Sequence, residues 1–315
     1  MKLSCCTQVN PEVILGKQYD ILICACGYEA RSTHFARTHI GTVEHKIAFA
    51  FGDRKELSRS KNEEMFTQLG YKIEDIVNGD YSYISQYLLG LCKLINKTNL
   101  VIAVDYSCMT KTMYASIINF FRYSDTLICN ANIDFVYSIA KYYSHYEAEA
   151  NVVVGPIPGF TSVMPPNAPT ALIIGLGCEK GRASSLMEYI DPAITYLCYS
   201  DPVKEPRYLE DIFKANSEIL AQTSPDKIFT YPISDFVTAS LTLSSLIVPL
   251  KGSHRTILAP LGPKPFSLAC LIQAVVNPEI DVWRISGGVS STPIDVEAAG
   301  EFVTCFLGFE EDGLC

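Results

Sequence analysis

Residues 20–26 read D-I-L-I-C-A-C, an apolar run of strand length with no polar alternation, after which the chain turns polar at G-Y-E-A-R-S. Runs of this kind belong to strands buried on both faces of a sheet. Residues 46–51, 100–104 and 133–138 carry similar runs, and 71–77 is a further strand candidate. Between them lie intervals with helical spacing, carried by Ile84, Tyr87, Leu88 and Leu91 in one and by Met113, Ile117, Phe120 and Phe121 in another. A helix is also expected over 33–40, and the charged stretch 55–68 predicts a solvated helix. Continuously apolar strands alternating with helices imply a parallel sheet covered on both sides, which is an α/β, Rossmann-like lobe.

Residues 151–169 carry Pro156, Pro158, Pro165, Pro166 and Pro169 and read as a linker. Beyond it the same order of events returns. Residues 171–176 end at G-C-E-K-G-R-A-S, the counterpart of G-Y-E-A-R-S, which sets Gly177 against Gly27. Asp201 then falls against Asp53, Asp235 against Asp80 and Lys264 against Lys111, and the run I-D-V-W at 280–283 against I-D-F-V at 133–136. Landmarks in one order, each displaced by about 150 residues, favour an internal duplication over two unrelated lobes with similar strand intervals. The expected architecture is two tandem Rossmann-like lobes with parallel sheets, residues 1–150 and 170–290, joined by the linker at 151–169. Residues 291–315 stand outside both copies. Val296, Phe302, Val303, Phe306 and Leu307 are spaced for an amphipathic helix that docks on a lobe, or for a tail that ends acidic at Glu310, Glu311 and Asp312.

Composition narrows the function. With 315 residues, 48% hydrophobic and 19% charged, the chain can fill two cores of this size. A formal net charge of -9 argues against coating a nucleic acid backbone, so an anionic ligand must be met by a local basic cluster. The opening M-K-L-S-C-C-T-Q turns polar before a signal-peptide core forms, and no run approaches the roughly 18 apolar residues of a membrane span. A cytoplasmic protein with no membrane partner is expected. Cysteines such as Cys24, Cys26, Cys129, Cys198 and Cys270 sit inside apolar runs without a CxxC, which fits buried reduced thiols better than a disulfide framework. Cys24 and Cys26 share a strand face, but five scattered histidines and no second cysteine pair leave zinc without further ligands; no metal or cofactor is expected.

In an open parallel sheet, ligands bind beyond the carboxyl ends of the strands, where loops converge and helix amino ends point at the crevice. Gly27, Glu29 and Arg31 follow the first strand, Asp53 the second, Asp80 the third, residues 105–111 the fourth and Ser138 the fifth. The second lobe repeats this with Gly177, Glu179, Arg182, Asp201, Asp235, Lys264 and the turn Ser286-Gly287-Gly288. Gly27 and Gly177 would let backbone approach a ligand. Lys111 and Lys264 open helices, where the positive helix end disfavours a cation unless an anion is also present; they either face a ligand or are solvated. Arg31 and Arg182 can clamp a phosphate or pair with Glu29 and Glu179. The glutamates can accept from ribose hydroxyls, act as general base or remain in structural ion pairs. Asp53 and Asp201 occupy either a ribose-holding place or helix caps. Gly175-Leu176-Gly177 is followed by Gly181 one residue too late for G-x-G-x-x-G, which weighs against a nicotinamide dinucleotide.

The segment 104–113, V-D-Y-S-C-M-T-K-T-M, resembles the signature of the CARF sensor family, in which a strand ending in an acidic residue runs into a Thr-Lys-x-Met helix start. The matching positions are Asp105, Thr110, Lys111 and Met113. The related SAVED family is similar to two such lobes fused in one chain. Where the family has glycines before Thr-Lys this chain has Cys108 and Met109, and the second copy keeps Gly262 and Lys264 among Pro260, Pro263 and Pro265, which implies an asymmetric seam. The resemblance implies binding of a nucleotide-like small molecule, such as a cyclic oligonucleotide second messenger, in the cleft between lobes, in prokaryotic antiviral defence. The ligand-binding residues would be Gly27, Glu29, Arg31, Asp105, Thr110, Lys111, Gly177, Glu179, Arg182, Gly262 and Lys264. The chain would serve as sensor or scavenger for an effector protein. Two readings stay open beside it: a nucleotide-directed hydrolase or transferase with Glu29 or Glu179 as general base, and a structural subunit docking through its acidic tail.

Overall fold

The continuous apolar runs form strands, and the helically spaced intervals form helices. The computed structural model describes residues 1–52, 55–76, 80–123, 128–144, 153–162, 167–201, 205–286 and 293–311. Its elements in chain order are β1 (Lys2–Gln8), α1 (Pro11–Leu15), β2 (Tyr19–Cys26), α2 (His34–Thr38), β3 (Val43–Phe51), α3 (Arg59–Gln68), β4 (Lys72–Ile76), α4 (Ser82–Ile95), β5 (Asn99–Asp105), α5 (Lys111–Tyr123) and β6 (Asn130–Ala140). There follow β7 (Val153–Pro156), β8 (Thr170–Gly175), α6 (Arg182–Ile190), β9 (Ile194–Ser200), α7 (Pro206–Ala215), α8 (Ser217–Gln222), β10 (Ile228–Tyr231), α9 (Phe236–Ile247), β11 (Arg255–Pro260), α10 (Lys264–Val276), β12 (Ile280–Ser286) and β13 (Ala298–Glu310). Three short 3-10 turns precede α2 and β10 and follow α9. Among the described residues, no helix is long and apolar enough to cross a membrane.

The chain forms two compact units, Met1–Lys141 with Pro293–Cys315, and Tyr142–Thr292. In the first unit the sheet order is β1-β13-β6-β5-β2-β3-β4, with β2 to β6 parallel throughout and β13 and β1 added antiparallel beyond β6. In the second it is β10-β9-β8-β11-β12-β7, parallel except for β7, which pairs antiparallel with β12. Numbering the parallel strands by their order along the chain gives 3-2-1-4-5 in each unit. In such an order the chain reverses its direction of travel across the sheet between strands 1 and 4, so the loops after those strands diverge to opposite faces and leave a crevice at their carboxyl ends.

Burial explains the apolar runs. All six residues from Ile21 to Cys26 are at most 2% exposed, as a central strand paired on both edges by β3 and β5 and covered on both faces requires. Met113, Ile117, Phe120 and Phe121 of α5 are buried as their spacing predicts. In the second unit α10 is buried all round from Pro265 to Ala274, as its lack of a polar face requires. Asp235 caps α9, its carboxylate accepting from Thr238 N at 2.9 Å.

Four expectations are corrected. Residues 298–310 are not a helix but β13, in which Val303, Cys305, Leu307 and Phe309 alternate inward; the apolar residues of this segment satisfy both periods, and pairing with β6 selects period two. The region read as a linker contains β7, whose residues hydrogen-bond to β12. The stretch over 55–68 is not simply solvated, since Arg59, Asn62 and Phe66 of α3 are buried. Cys129 is disulfide-bonded, against the expectation of a reduced thiol there.

Candidate functional site

In the first unit, strands 1 and 4 of the parallel order are β2 and β5, and the loops after them carry six of the expected residues: Gly27, Glu29 and Arg31 on one, Asp105, Thr110 and Lys111 on the other. The first loop is folded by small polar side chains. Ser32 Oγ donates to Ala25 O at 2.6 Å and accepts from Gly27 N at 3.1 Å. Asn62 reaches over from α3 and donates to Gly27 O at 3.0 Å and Glu29 O at 2.8 Å. Asp295 closes the loop from its far side, accepting from Ala30 N at 2.7 Å and Ser58 Oγ at 2.6 Å.

Arg31 is 7% exposed. Its Nε donates to Glu29 Oε2 at 2.6 Å, its Nη1 donates to Ser138 O at 3.0 Å and Tyr137 Oη at 3.2 Å, and its guanidinium lies 5.4 Å from the centre of the Tyr137 ring. Of the two roles open to it in the sequence, pairing with Glu29 is the one adopted. Two of these donor contacts tie the loop to the carboxyl end of β6 and the third closes on Glu29 within the loop, which makes Arg31 a brace for the site. His34 stands beside it, its Nδ1 3.3 Å from Ser138 Oγ and its ring stacked on Phe302 at 4.8 Å. Burial, with Arg37 nearby, pushes the imidazole pKa below its ordinary value.

The second loop turns on Asp105, which is 2% exposed. Its Oδ1 accepts from Ser107 N at 3.0 Å and from Ser107 Oγ, and that hydroxyl in turn accepts from Ser138 N at 2.7 Å. The acidic residue thus shapes the turn and stitches it to β6. Thr110 Oγ1 accepts from Met113 N at 3.3 Å, capping α5, and Lys111, partly exposed, is the first residue of that helix. The loops meet at Gly27, where an added Cβ would lie 3.4 Å from Cys108 Cβ, an ordinary contact.

In the second unit the equivalent loops follow β8 and β11 and bring together Gly177, Glu179, Arg182, Gly262 and Lys264. Here the glycines serve the loops themselves. A Cβ on Gly262 would lie 2.5 Å from Leu176 O, and one on Gly177 would collide with Leu261 O, so the two turns interlock backbone to backbone. Arg182 pairs with Glu179 at 2.9 Å and is within 3.5 Å of Ile285 O, while its buried Nε has no hydrogen-bond partner among the described residues. Asn216 donates to Gly177 O at 2.8 Å. Lys264, partly exposed, is the first residue of α10 between Pro263 and Pro265.

Asp80 and Asp235 both cap turns, accepting from Ser82 N at 3.0 Å and Thr238 N at 2.9 Å. Asp53 and the glycines at 287 and 288 lie outside the described residues. Among the described residues, no group of three or more His, Cys, Asp or Glu side chains is placed to hold a metal ion. Asn62, Asn216, Asp295 and Tyr137 were not singled out in the sequence. The two asparagines carry a signal there, standing 154 positions apart in register with the other paired landmarks.

Each unit thus carries a Glu–Arg ion pair on the loop after strand 1 and a lysine at the start of the helix after strand 4. No protein-family model matches the chain, and no curated protein sequence matches it.

Proposed function

We propose that each unit is a Rossmann-like lobe, that the two arose by internal duplication, and that the loops after strands 1 and 4 bind a nucleotide-like anion. The observation that carries the reading is the coincidence of address and charge. In both units the loops flanking the reversal of strand order hold the glycine, the Glu–Arg pair and a lysine that opens the helix after strand 4. A lysine at a helix amino end is electrostatically unfavourable alone and favourable beside a bound phosphate. The duplication is supported by the shared 3-2-1-4-5 order, and by Asn62 and Asn216 donating to the carbonyls of Gly27 and Gly177.

On this reading Lys111 and Lys264, with Thr110 and the turn amides, meet the anion, while Arg31 and Arg182 hold the loops in shape. Glu29 and Glu179, each committed to an arginine, serve as braces rather than as general bases. The likeness of residues 104–113 to the CARF signature makes a cyclic oligonucleotide the first ligand to try, and a sensor or scavenger acting with an effector protein in the cytoplasm of a prokaryote the first role. Thermal shift of the purified chain with mono-, di- and cyclic nucleotides is the test. The proposal requires a shift with at least one of them that Lys111→Ala removes; a panel without a shift, or one that Lys111→Ala leaves intact, overturns it.

A further inference from the structure

β1 pairs with β13 so that Cys6 lies opposite Leu307 and Gln8 opposite Cys305, which puts Cys6 and Cys305 diagonally on one face of the ladder. Their sulfur atoms are 3.9 Å apart. Cys6 is exposed on the outermost strand of its sheet, and Cys305 is 1% exposed beneath it. Cys5 is exposed too, but it sits one residue along the strand, where the side chain turns to the opposite face. An accessible thiol over a buried one at this separation is the arrangement of an attacking and a resolving cysteine.

We infer that Cys6 and Cys305 are a modification site that a hydroperoxide oxidises to a disulfide, stapling β1 to β13. The Cys6 thiolate attacks one peroxide oxygen, the O–O bond breaks, and hydroxide leaves and takes a proton to become water; Cys6 is now a sulfenic acid. The Cys305 sulfur then attacks the Cys6 sulfur, the S–O bond breaks, and the departing hydroxide takes the Cys305 proton as a second water. Two thiols and one hydroperoxide become one disulfide and two waters when the oxidant is hydrogen peroxide. The hydrogen bond between the sulfurs favours the thiolate at Cys6, and burial together with that bond keeps Cys305 protonated until it reacts, which matches the two roles. Closing the bond needs the sulfurs to approach by roughly 1.9 Å to reach the covalent distance, and because diagonal partners stand farther apart than directly opposed ones, the backbone of β1 must shift toward β13 as the bond closes, a movement open to an edge strand. The staple fixes the strand that flanks β13, and β13 pairs in turn with β6, whose Tyr137 and Ser138 hold Arg31.

The test treats the purified full-length chain with hydrogen peroxide, removes the peroxide, denatures, alkylates with N-ethylmaleimide and reads the digested peptides by mass spectrometry, with and without dithiothreitol. The expected result is a dithiothreitol-sensitive linked peptide joining Cys6 to Cys305, with alkylation of both falling together at least five-fold. Cys6→Ser abolishes the link and leaves Cys305 alkylated, and Cys5→Ser leaves the yield unchanged. Cys305 alkylated as fully as in untreated wild-type protein, or a link that runs through Cys5, overturns the inference.

Discussion

Replacing Gly262 by alanine places a methyl group 2.5 Å from Leu176 O, where an ordinary contact begins near 3.4 Å, so one turn must retreat by about 0.9 Å. Neither turn is free to do so. Leu261 N donates to Gly175 O at 2.8 Å and Leu176 N to Cys198 O at 2.7 Å, which pins both backbones to the sheet. Relief therefore combines overpacking, about 1–3 kcal/mol, with weakening of a backbone hydrogen bond, about 1 kcal/mol, for a loss of about 2–4 kcal/mol. Gly27→Ala is the internal control, since its methyl would meet Cys108 Cβ at 3.4 Å and Phe51 Cε2 at 3.7 Å without overlap. Its effect should stay within about 1 kcal/mol of zero, because reduced freedom of the unfolded chain offsets small packing changes. The protein has a single tryptophan, Trp283 on β12, so urea denaturation followed by its fluorescence reports on the second unit, and far-UV circular dichroism follows the whole chain. A loss below about 0.5 kcal/mol for Gly262→Ala, or an equal loss for Gly27→Ala, would refute the interlocked-turn account.

Two further outcomes follow from the bracing of the loops. Asn62→Ala removes both donors to the first loop and should lower stability by about 1–2 kcal/mol in urea denaturation, and Asn62→Asp should do at least as much harm, because an ionised carboxylate cannot donate. Asp235→Ala should cost about 1 kcal/mol through loss of the α9 cap. Bonding to Thr238 holds the Asp235 pKa below its ordinary value, so this contribution is complete above the unfolded-state pKa and is lost as pH falls through the folded one; the gap between wild type and variant in melting temperature should narrow as pH is lowered below the ordinary carboxylate range of about 4.

Much of the fold was legible because buried parallel strands write a continuous apolar run, and such runs mark β2, β5 and β8 with little ambiguity. Residues 298–310 misled because Val303, Phe306 and Leu307 satisfy a helical period, whereas Val303, Cys305, Leu307 and Phe309 satisfy a strand period. Only the open edge of β6, which sequence does not reveal, decides between them. β1 was illegible for a related reason: as the outermost strand it is exposed along most of its length and carries no apolar signature. At the site, glycines, carboxylates and lysines stood out because their residue types are costly or unusual at strand ends. Asn62 and Asp295 did not, since an asparagine inside K-N-E-E looks solvated until α3 is seen to turn it toward the Gly27 carbonyl, and Asp295 comes from a distant part of the chain. The sequence left the arginines' role undecided, and Tyr137 and Ser138, brought alongside by the β5–β6 pairing, decide it for Arg31.

The claim that matters most is that Lys111 opens its helix onto a bound anion. Calorimetric titration of the purified chain with adenine mono-, di- and cyclic nucleotides, and with inorganic phosphate as reference, tests it most directly. The account predicts that at least one nucleotide binds more tightly than phosphate, that Lys111→Ala weakens this by at least about ten-fold, near 1.4 kcal/mol, and that Lys111→Arg retains most of it. Heats indistinguishable from dilution for every nucleotide, or equal affinity in wild type and Lys111→Ala, would contradict it.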